Sequence, residues 1–235
     1  MKTESPETNV FKPQSKTEYI YKILRQQIRD LELEPGSRLN KNEIALKYGI
    51  SRGPVSEAIN RLAEEGLVDV YPQSGTFVSQ ILPQDVRESL LIRTGLEVEA
   101  VRHATGKARV ELARLLDKNL DAQAAAIRDE DIMSFHDLDE AFHAAIFDAI
   151  NSTRAKHMLI ATRAMIDRPR FHNLWKADDR MDETLEEHRR IVDAIRDGDT
   201  EAAAVAMRAH LTVVAQAIEH ELVVIEEKNS QSRSD

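Results

Sequence analysis

Apolar residues recur every three or four positions along most of this chain, and one short stretch departs from that rhythm. Residues 16–31 (KTEYIYKILRQQIRDL) put Tyr19 or Ile20, Ile23, Leu24, Ile28 and Leu31 on one stripe. That spacing predicts an amphipathic helix, broken by Pro35-Gly36. Asn40-x-x-Glu43 approximates a capping box and opens a second short helix over 41–48. Ser51 is a good N-cap for a third, with Arg52, Gly53 and Pro54 in its first turn and Gly66 as a left-handed stop. Val55, Ile59, Leu62 and Ala63 form its apolar face; Ser51, Arg52, Ser56 and Asn60 fall on the polar side. The period then drops to two. Residues 67–71 and 76–79 alternate around Pro72-Gln73-Ser74-Gly75, which predicts two strands and a hairpin. Helix, turn, reading helix and hairpin in that order make a winged helix-turn-helix over residues 16–80.

Past Pro83, a linker, the helical period returns and does not change again. It predicts helices over 84–104, 107–128, 132–150, 152–167, 180–197 and 200–227. Asp131, Ser152 and Asp199 read as N-caps, Gly106 and Gly198 as stops. Arg168–Arg180 is the hardest segment to place, because Pro169 either kinks or ends the helix before it. The fold class is therefore mainly α: an N-terminal winged helix-turn-helix and a C-terminal all-α antiparallel bundle over 84–227. Residues 1–15 and 228–235 are polar and read as disordered tails.

Charge sharpens this division. The net charge is −9, yet residues 1–80 carry 11 Lys and Arg against 11 Asp and Glu, whereas residues 81–235 carry 21 against 30. The acidity belongs to the helical part, and the N-terminal part is free to face phosphates. There is no cysteine, which excludes disulfides and thiolate metal sites. No run of about eighteen apolar residues exists and the start lacks the apolar core of a signal peptide, so a cytoplasmic protein with no membrane partner is expected.

Four residues of the helical part stand out for chemistry. Asp139 and His143 are four apart on one helix face, about 40° around the axis and about 6 Å along it. His188 lies ten residues before Gly198 and His210 twelve after it. If Asp197-Gly198-Asp199 turns a helical hairpin, both imidazoles stand about 15–18 Å from the turn, at similar heights. Three imidazoles and a carboxylate suit a divalent transition metal, zinc first, nickel or manganese next. The alternative is four unrelated residues on solvated faces. His136, seven residues before His143, is the rival ligand.

Two sets of spaced residues resemble a known family. Pro35-Gly36-x-x-Leu39, Ile50-Ser51-Arg52-x-Pro54-Val55-x-Glu57-Ala58-Ile59-x-x-Leu62, Glu65-Gly66-Leu67-Val68 and Gly75-Thr76-Phe77-Val78 are similar to the winged helix of GntR-type bacterial regulators. Leu91-Ile92-Arg93-x-x-Leu96-Glu97, Asp139-x-x-x-His143, Asn151, Glu187-His188-Arg189 and Ala206-Met207-x-x-His210-Leu211 resemble the all-helical effector domain of the FadR subfamily. The resemblance implies a metal held by Asp139, His143, His188 and His210, and disfavours the fatty-acyl-CoA-binding branch, which lacks this set. It also implies a small carboxylate or sugar-acid effector, with Arg93 and Asn151 in the pocket. Arg163, Arg168 and Arg170 read as a solvated cluster, with an approach to the pocket as the alternative.

For DNA, the resemblance makes Arg52 the base-reading arginine, suited to a bidentate guanine contact. Ser51, Gly53 and Gly75 belong to the matched DNA-facing motifs. Arg38 and Lys41 supply nearby charge. Asn42 and Ser56 stand where the subfamily is commonly basic, and Ser74 departs similarly, so the usual operator preference does not transfer. The function implied is a metabolite-responsive transcription regulator, a repressor, binding a double-stranded operator as a homodimer. It is not an enzyme. Two alternatives stay open: a metal-dependent enzyme acting on a small organic acid, and a regulator for which the metal itself is the signal.

Overall fold

The computed structural model describes residues 15–173 and 180–231, and the side chains of 170–173 and 227–231 lie outside the description. Residues 1–14, 174–179 and 232–235 fall outside it too, and with them most of the predicted tails and the middle of the Arg168–Arg180 segment.

The winged helix is built from α1 (Lys16–Arg29), α2 (Lys41–Lys47), α3 (Arg52–Glu64), β1 (Val68–Tyr71) and β2 (Gly75–Val78). Helix α1 is capped by the Ser15 side chain and ends two residues earlier than its apolar stripe suggests. Leu31 takes a left-handed φ of 58° just beyond it. Asn40 caps α2 by accepting from the backbone N–H of Asn42 at 3.0 Å, and its own amide donates to Glu43 at 2.7 Å. Ser51 occupies the N-cap position of α3, but its hydroxyl makes no capping bond. Gly66 stops α3 at φ 75°. The hairpin is antiparallel, with Val68 opposite Val78 and Tyr71 opposite Gly75. Ile20, Leu24, Ile28, Val55, Ile59, Leu62, Leu67 and Val78 close one core. Burying each such aliphatic side chain contributes about 1.5–3 kcal/mol.

The helical part comprises α4 (Pro83–His103), α5 (Gly106–Arg128), α6 (Ile132–Ala149), α7 (Thr153–Asn173), α8 (Met181–Asp197) and α9 (Thr200–Gln231). Pro83 opens α4 rather than lying in a linker; at N1 its missing N–H costs nothing. Asp131 caps α6 and Asp199 caps α9, and Gly198 turns α8 into α9 at φ 79°. The predicted hairpin is present. Gly106 has a left-handed φ of 58° but begins α5 rather than ending α4, which stops at His103.

Two helix ends differ most from the predicted ones. Helix α7 continues through Pro169 to Asn173 instead of stopping at 167. The tertiary contacts of Arg163, Ala164 and Arg168 hold that segment in place against the loss of one ladder bond. Helix α9 runs to Gln231, past the boundary at 227; no Gly or Pro follows to interrupt it. Helices α4, α5, α6, α8 and α9 enclose the second core, centred on Leu116, Phe142, Ile146, Ile191, Val192 and Met207. No helix among the described residues is long and apolar enough to cross a membrane.

Candidate metal centre and DNA-facing surface

Helix α6 directs Asp139 and His143 into the bundle, α8 directs His188, and α9 directs His210. All four are buried, and one ligand atom from each lies within 4.8 Å of the others. The Nε2 atoms of His143 and His188 stand 3.5 and 3.3 Å from Asp139 Oδ1. The three imidazole rings pack with centroids 4.8–5.3 Å apart, and Phe142 stacks on His188 at 4.1 Å. His136 is buried on α6 but is not part of this group.

Each ring is held from behind. His143 Nδ1 meets Glu97 on α4; His188 Nδ1 lies 3.0 Å from Gln123 Oε1 on α5; His210 Nδ1 lies 2.7 Å from Glu187 Oε2 on α8. With Nδ1–H donating to these acceptors, a ring in its neutral form presents a bare Nε2 lone pair. All three Nε2 atoms are buried and lack a hydrogen-bond partner. An orphaned buried acceptor costs about 1–3 kcal/mol, and three of them gathered with one carboxylate make a donor set complementary to a cation. The cluster can hold a metal ion.

The electrostatics agree. Burial pushes the His188 imidazolium down to about 4, and burial together with the neighbouring imidazoles pushes His210 well below its ordinary value. Both rings are therefore neutral at physiological pH, the form that binds metals. Burial opposes the Asp139 charge, but the Arg163 guanidinium and the flanking imidazoles outweigh it and hold the carboxyl well below its usual range. Glu97, likewise buried, is held down to about 2 by His143 and Arg93.

Two arginines flank the cluster. Arg93 on α4 donates from Nε to Glu97 at 2.5 Å and keeps a buried, unpartnered Nη1. Arg163 on α7 donates from Nη2 to Asp139 Oδ2 and keeps Nε and Nη1 buried and unpartnered. Arg163 and Arg168 are thus fully buried, contrary to the solvated cluster expected of them. Asp139 Oδ2 accepts from Arg163, and the hydroxyl and carbonyl of Ser79 accept from Arg168. Asn151 lies away from the cluster: it is exposed, with a left-handed φ of 54°, where α6 ends.

The sequence reading did not single out Glu97, Gln123 or Glu187 as supports. Signals existed. Gln123 continues the buried stripe of Leu116 and Leu120 as a polar exception, Glu97 is four residues after Arg93, and Glu187 precedes His188.

On the winged helix, Arg38, Lys41, Asn42, Arg52 and Gly75 line one cleft of about 380 Å³ with Leu39, Asn40 and Thr76. The wing glycine makes room for arginine here: a Cβ on Gly75 would approach Arg38 Nε to 3.2 Å. Ser51, Arg52 and Gly53 are exposed at the start of α3, and Ser56 is half-buried on the next turn.

Winged helix and helical bundle together define a DNA-binding regulator with a separate helical domain. Comparison with known proteins gives the family: residues 16–78 match the bacterial regulatory proteins of the gntR family and residues 88–213 match the FCD domain, so the chain belongs to the GntR regulators with an FCD domain. It is 29% identical over 212 residues to the HTH-type transcriptional repressor RspR of Escherichia coli, covering 90% of this chain and 92% of that one. An uncharacterised HTH-type regulator from an unstable DNA locus of Streptomyces ambofaciens is 35% identical over 204 residues, 85% of this chain and 84% of the relative. The solved structure of E. coli McbR/YncC superposes with a TM-score of 0.78 over 88% of this chain and 99% of that one, at 22% identity, which shows the shared fold. These relatives are transcription regulators, not enzymes, and this chain is a DNA-binding transcription regulator.

Proposed function

We propose that this regulator is a repressor whose helical domain holds a divalent metal, zinc first, on Asp139, His143, His188 and His210 and takes a small carboxylate or sugar acid beside it. The observation that carries the reading is the gathering of Asp139, His143, His188 and His210 with ligand atoms within 4.8 Å of one another, each ring left with an orphaned Nε2 and fixed from behind by its own acceptor. Three nitrogen ligands and one oxygen ligand match zinc best, with nickel and manganese as competitors. When bound, the ion supplies positive charge for a carboxylate oxygen to complete.

The chain's own residues do the rest. Arg93 Nη1 and Arg163 Nε and Nη1 offer buried donors to an anion, and charge-assisted bonds of this kind are about twice as strong as neutral ones. The surrounding core excludes bulk water. On the DNA side, Arg52 reads guanine in the major groove, Arg38 and Lys41 meet phosphates, and Asn42 pairs with adenine or phosphate. Ser51, Gly53, Ser56 and Gly75 allow close approach of the backbone. A homodimer presents two reading helices to two half-sites of a near-palindrome.

A thermal-shift screen of zinc-loaded protein against hydroxy acids, dicarboxylates and sugar acids tests the effector class. A ligand at a hundred times its dissociation constant adds about 2.7 kcal/mol, which moves the melting point visibly. Stabilisation by one acid that disappears in Arg93→Ala supports the pocket. No response from any acid by the loaded protein contradicts it.

A further inference from the structure

We propose that residues 163–168 of α7 form a strut that ties the metal centre to the recognition helix, with Arg163 and Arg168 as its two positioning residues. At one end, Arg163 grips Asp139 Oδ2, the carboxylate oxygen opposite the one facing the imidazoles. At the other, Arg168 Nη1 donates to the Ser79 hydroxyl at 3.0 Å, and Arg168 Nη2 donates to the Ser79 carbonyl. The Ser79 hydroxyl in turn donates to the Gly66 carbonyl at 2.6 Å, and the Ser79 N–H donates to Leu67 O at 3.0 Å. Gly66 is the residue that terminates α3, the reading helix. A continuous path therefore runs from Asp139 through about 7.5 Å of helix to the end of the element that enters the groove.

The residues between the two arginines belong to both parts of the molecule. Ala164 is buried in the winged-helix core, Met165 lies over Gly66, and Ile166 packs with Val86, Ile218 and Leu222 at the base of α4 and α9. A helix segment in which only Met165 is less than fully buried is held by neighbours on most sides, so it cannot shift without moving one of them. A second clamp acts in parallel. Arg25 of α1 pairs with Glu140 at 3.2 Å and Arg29 with Asp137 at 3.1 Å, both on the turn of α6 that carries Asp139.

The Arg168 end is the weaker of the two. Among the described residues no carboxylate accepts a hydrogen bond from Arg168: its partners are the hydroxyl and carbonyl of Ser79, its Nε is buried without a partner, and Asp69 acts on it only as a nearby charge. Burial accordingly pulls its pKa down to about 10. A cation desolvated with only neutral acceptors makes a contact that is cheap to release. The Arg163 end has spare capacity instead, because its Nε and Nη1 are buried without a partner and an anion beside Asp139 could accept from them. The strut rests on the metal reading proposed above. Whatever binds on the imidazole side of Asp139 changes the pull on Oδ2, and an anion that engages Arg163 changes it further.

The test uses the full chain, stripped with chelator and reloaded with zinc, and reads amide hydrogen exchange. In the wild type, zinc is expected to change exchange at residues 62–67 and 78–82 by about fivefold or more. Ser79→Ala and Arg168→Met are expected to load one zinc per chain yet show less than about a twofold zinc effect there, and Arg168→Lys to restore part of it. A purely structural role for these residues would move the baseline of both forms alike and leave the zinc effect intact. Zinc loading with no change at these segments in the wild type, or an undiminished change in both Ser79→Ala and Arg168→Met, overturns the strut alone. Failure of the wild type to load zinc overturns both the strut and the metal reading.

Discussion

The two functional regions solve opposite problems. The DNA-facing cleft is open to water, and Arg38, Lys41 and Arg52 lie along it ready to meet an outside partner. The Asp/His cluster is buried, so each of its side chains needs a second partner behind it: Glu97, Gln123 and Glu187 for the rings, Arg163 for the carboxylate. An exposed polar side chain costs nothing while it waits, because water satisfies it. A buried one must be oriented and neutralised at all times. Substitutions should therefore act locally in the cleft and spread through the bundle around the cluster.

The largest expected effect is in the cleft. Arg52→Ala removes one bidentate guanine contact from each half-site, worth about 1–3 kcal/mol apiece. Operator affinity in a gel-shift assay should fall by about a hundredfold or more while zinc loading is unchanged. Retained affinity would reassign the reading residue. Next comes a substitution that touches neither metal nor DNA. Gln123→Leu frees His188 Nδ1 and should weaken zinc binding by about 10–100-fold in a competition titration with a fluorescent chelator. An unchanged constant would mean that the outer acceptors do not orient the rings.

Acid should expose the same contrast in the metal-free protein. His188 has a folded pKa of about 4, below the ordinary histidine value of about 6.5, so the unfolded chain binds the extra proton first. The stability this neutral ring contributes is complete above about pH 6.5 and is lost as the pH falls toward 4. Between pH 7 and 5 His188 alone should cost about 2 kcal/mol, read by urea denaturation, and His188→Ala should flatten that slope. The smallest effect belongs to an exposed cation. Lys41→Ala should weaken DNA binding almost uniformly across sequences and reduce the slope of log affinity against log salt by about 2, one phosphate per half-site. A change in sequence preference instead would place Lys41 on a base.

The same contrast explains what could be read before the fold was known. The helices, the hairpin and the His188–His210 pairing across Gly198 follow from local spacing, since helical rise and one glycine stop fix the heights of both rings. The proposed DNA residues rest instead on the family resemblance of one short run of turn, helix and wing. The outer partners are a different matter. Gln123 meets His188 across 65 residues, and Glu97 meets His143 across 46. Such contacts depend on which helices pack together, which periodicity does not encode. Arg163 and Arg168 were hidden for the same cause: arginine beside arginine suggests solvent, and only tertiary packing carries both inward. Pro169 marks a helix end by local rules, yet α7 passes through it, with Arg163, Ala164 and Arg168 anchoring the turn before it.

X-ray absorption at the zinc edge on the loaded full chain tests the central claim most directly. The account expects three imidazole nitrogens at about 2.0–2.1 Å with an oxygen completing the shell, and a spectrum that loses an imidazole in His210→Ala. A shell with no imidazole scattering, or one unchanged by that substitution, would contradict it.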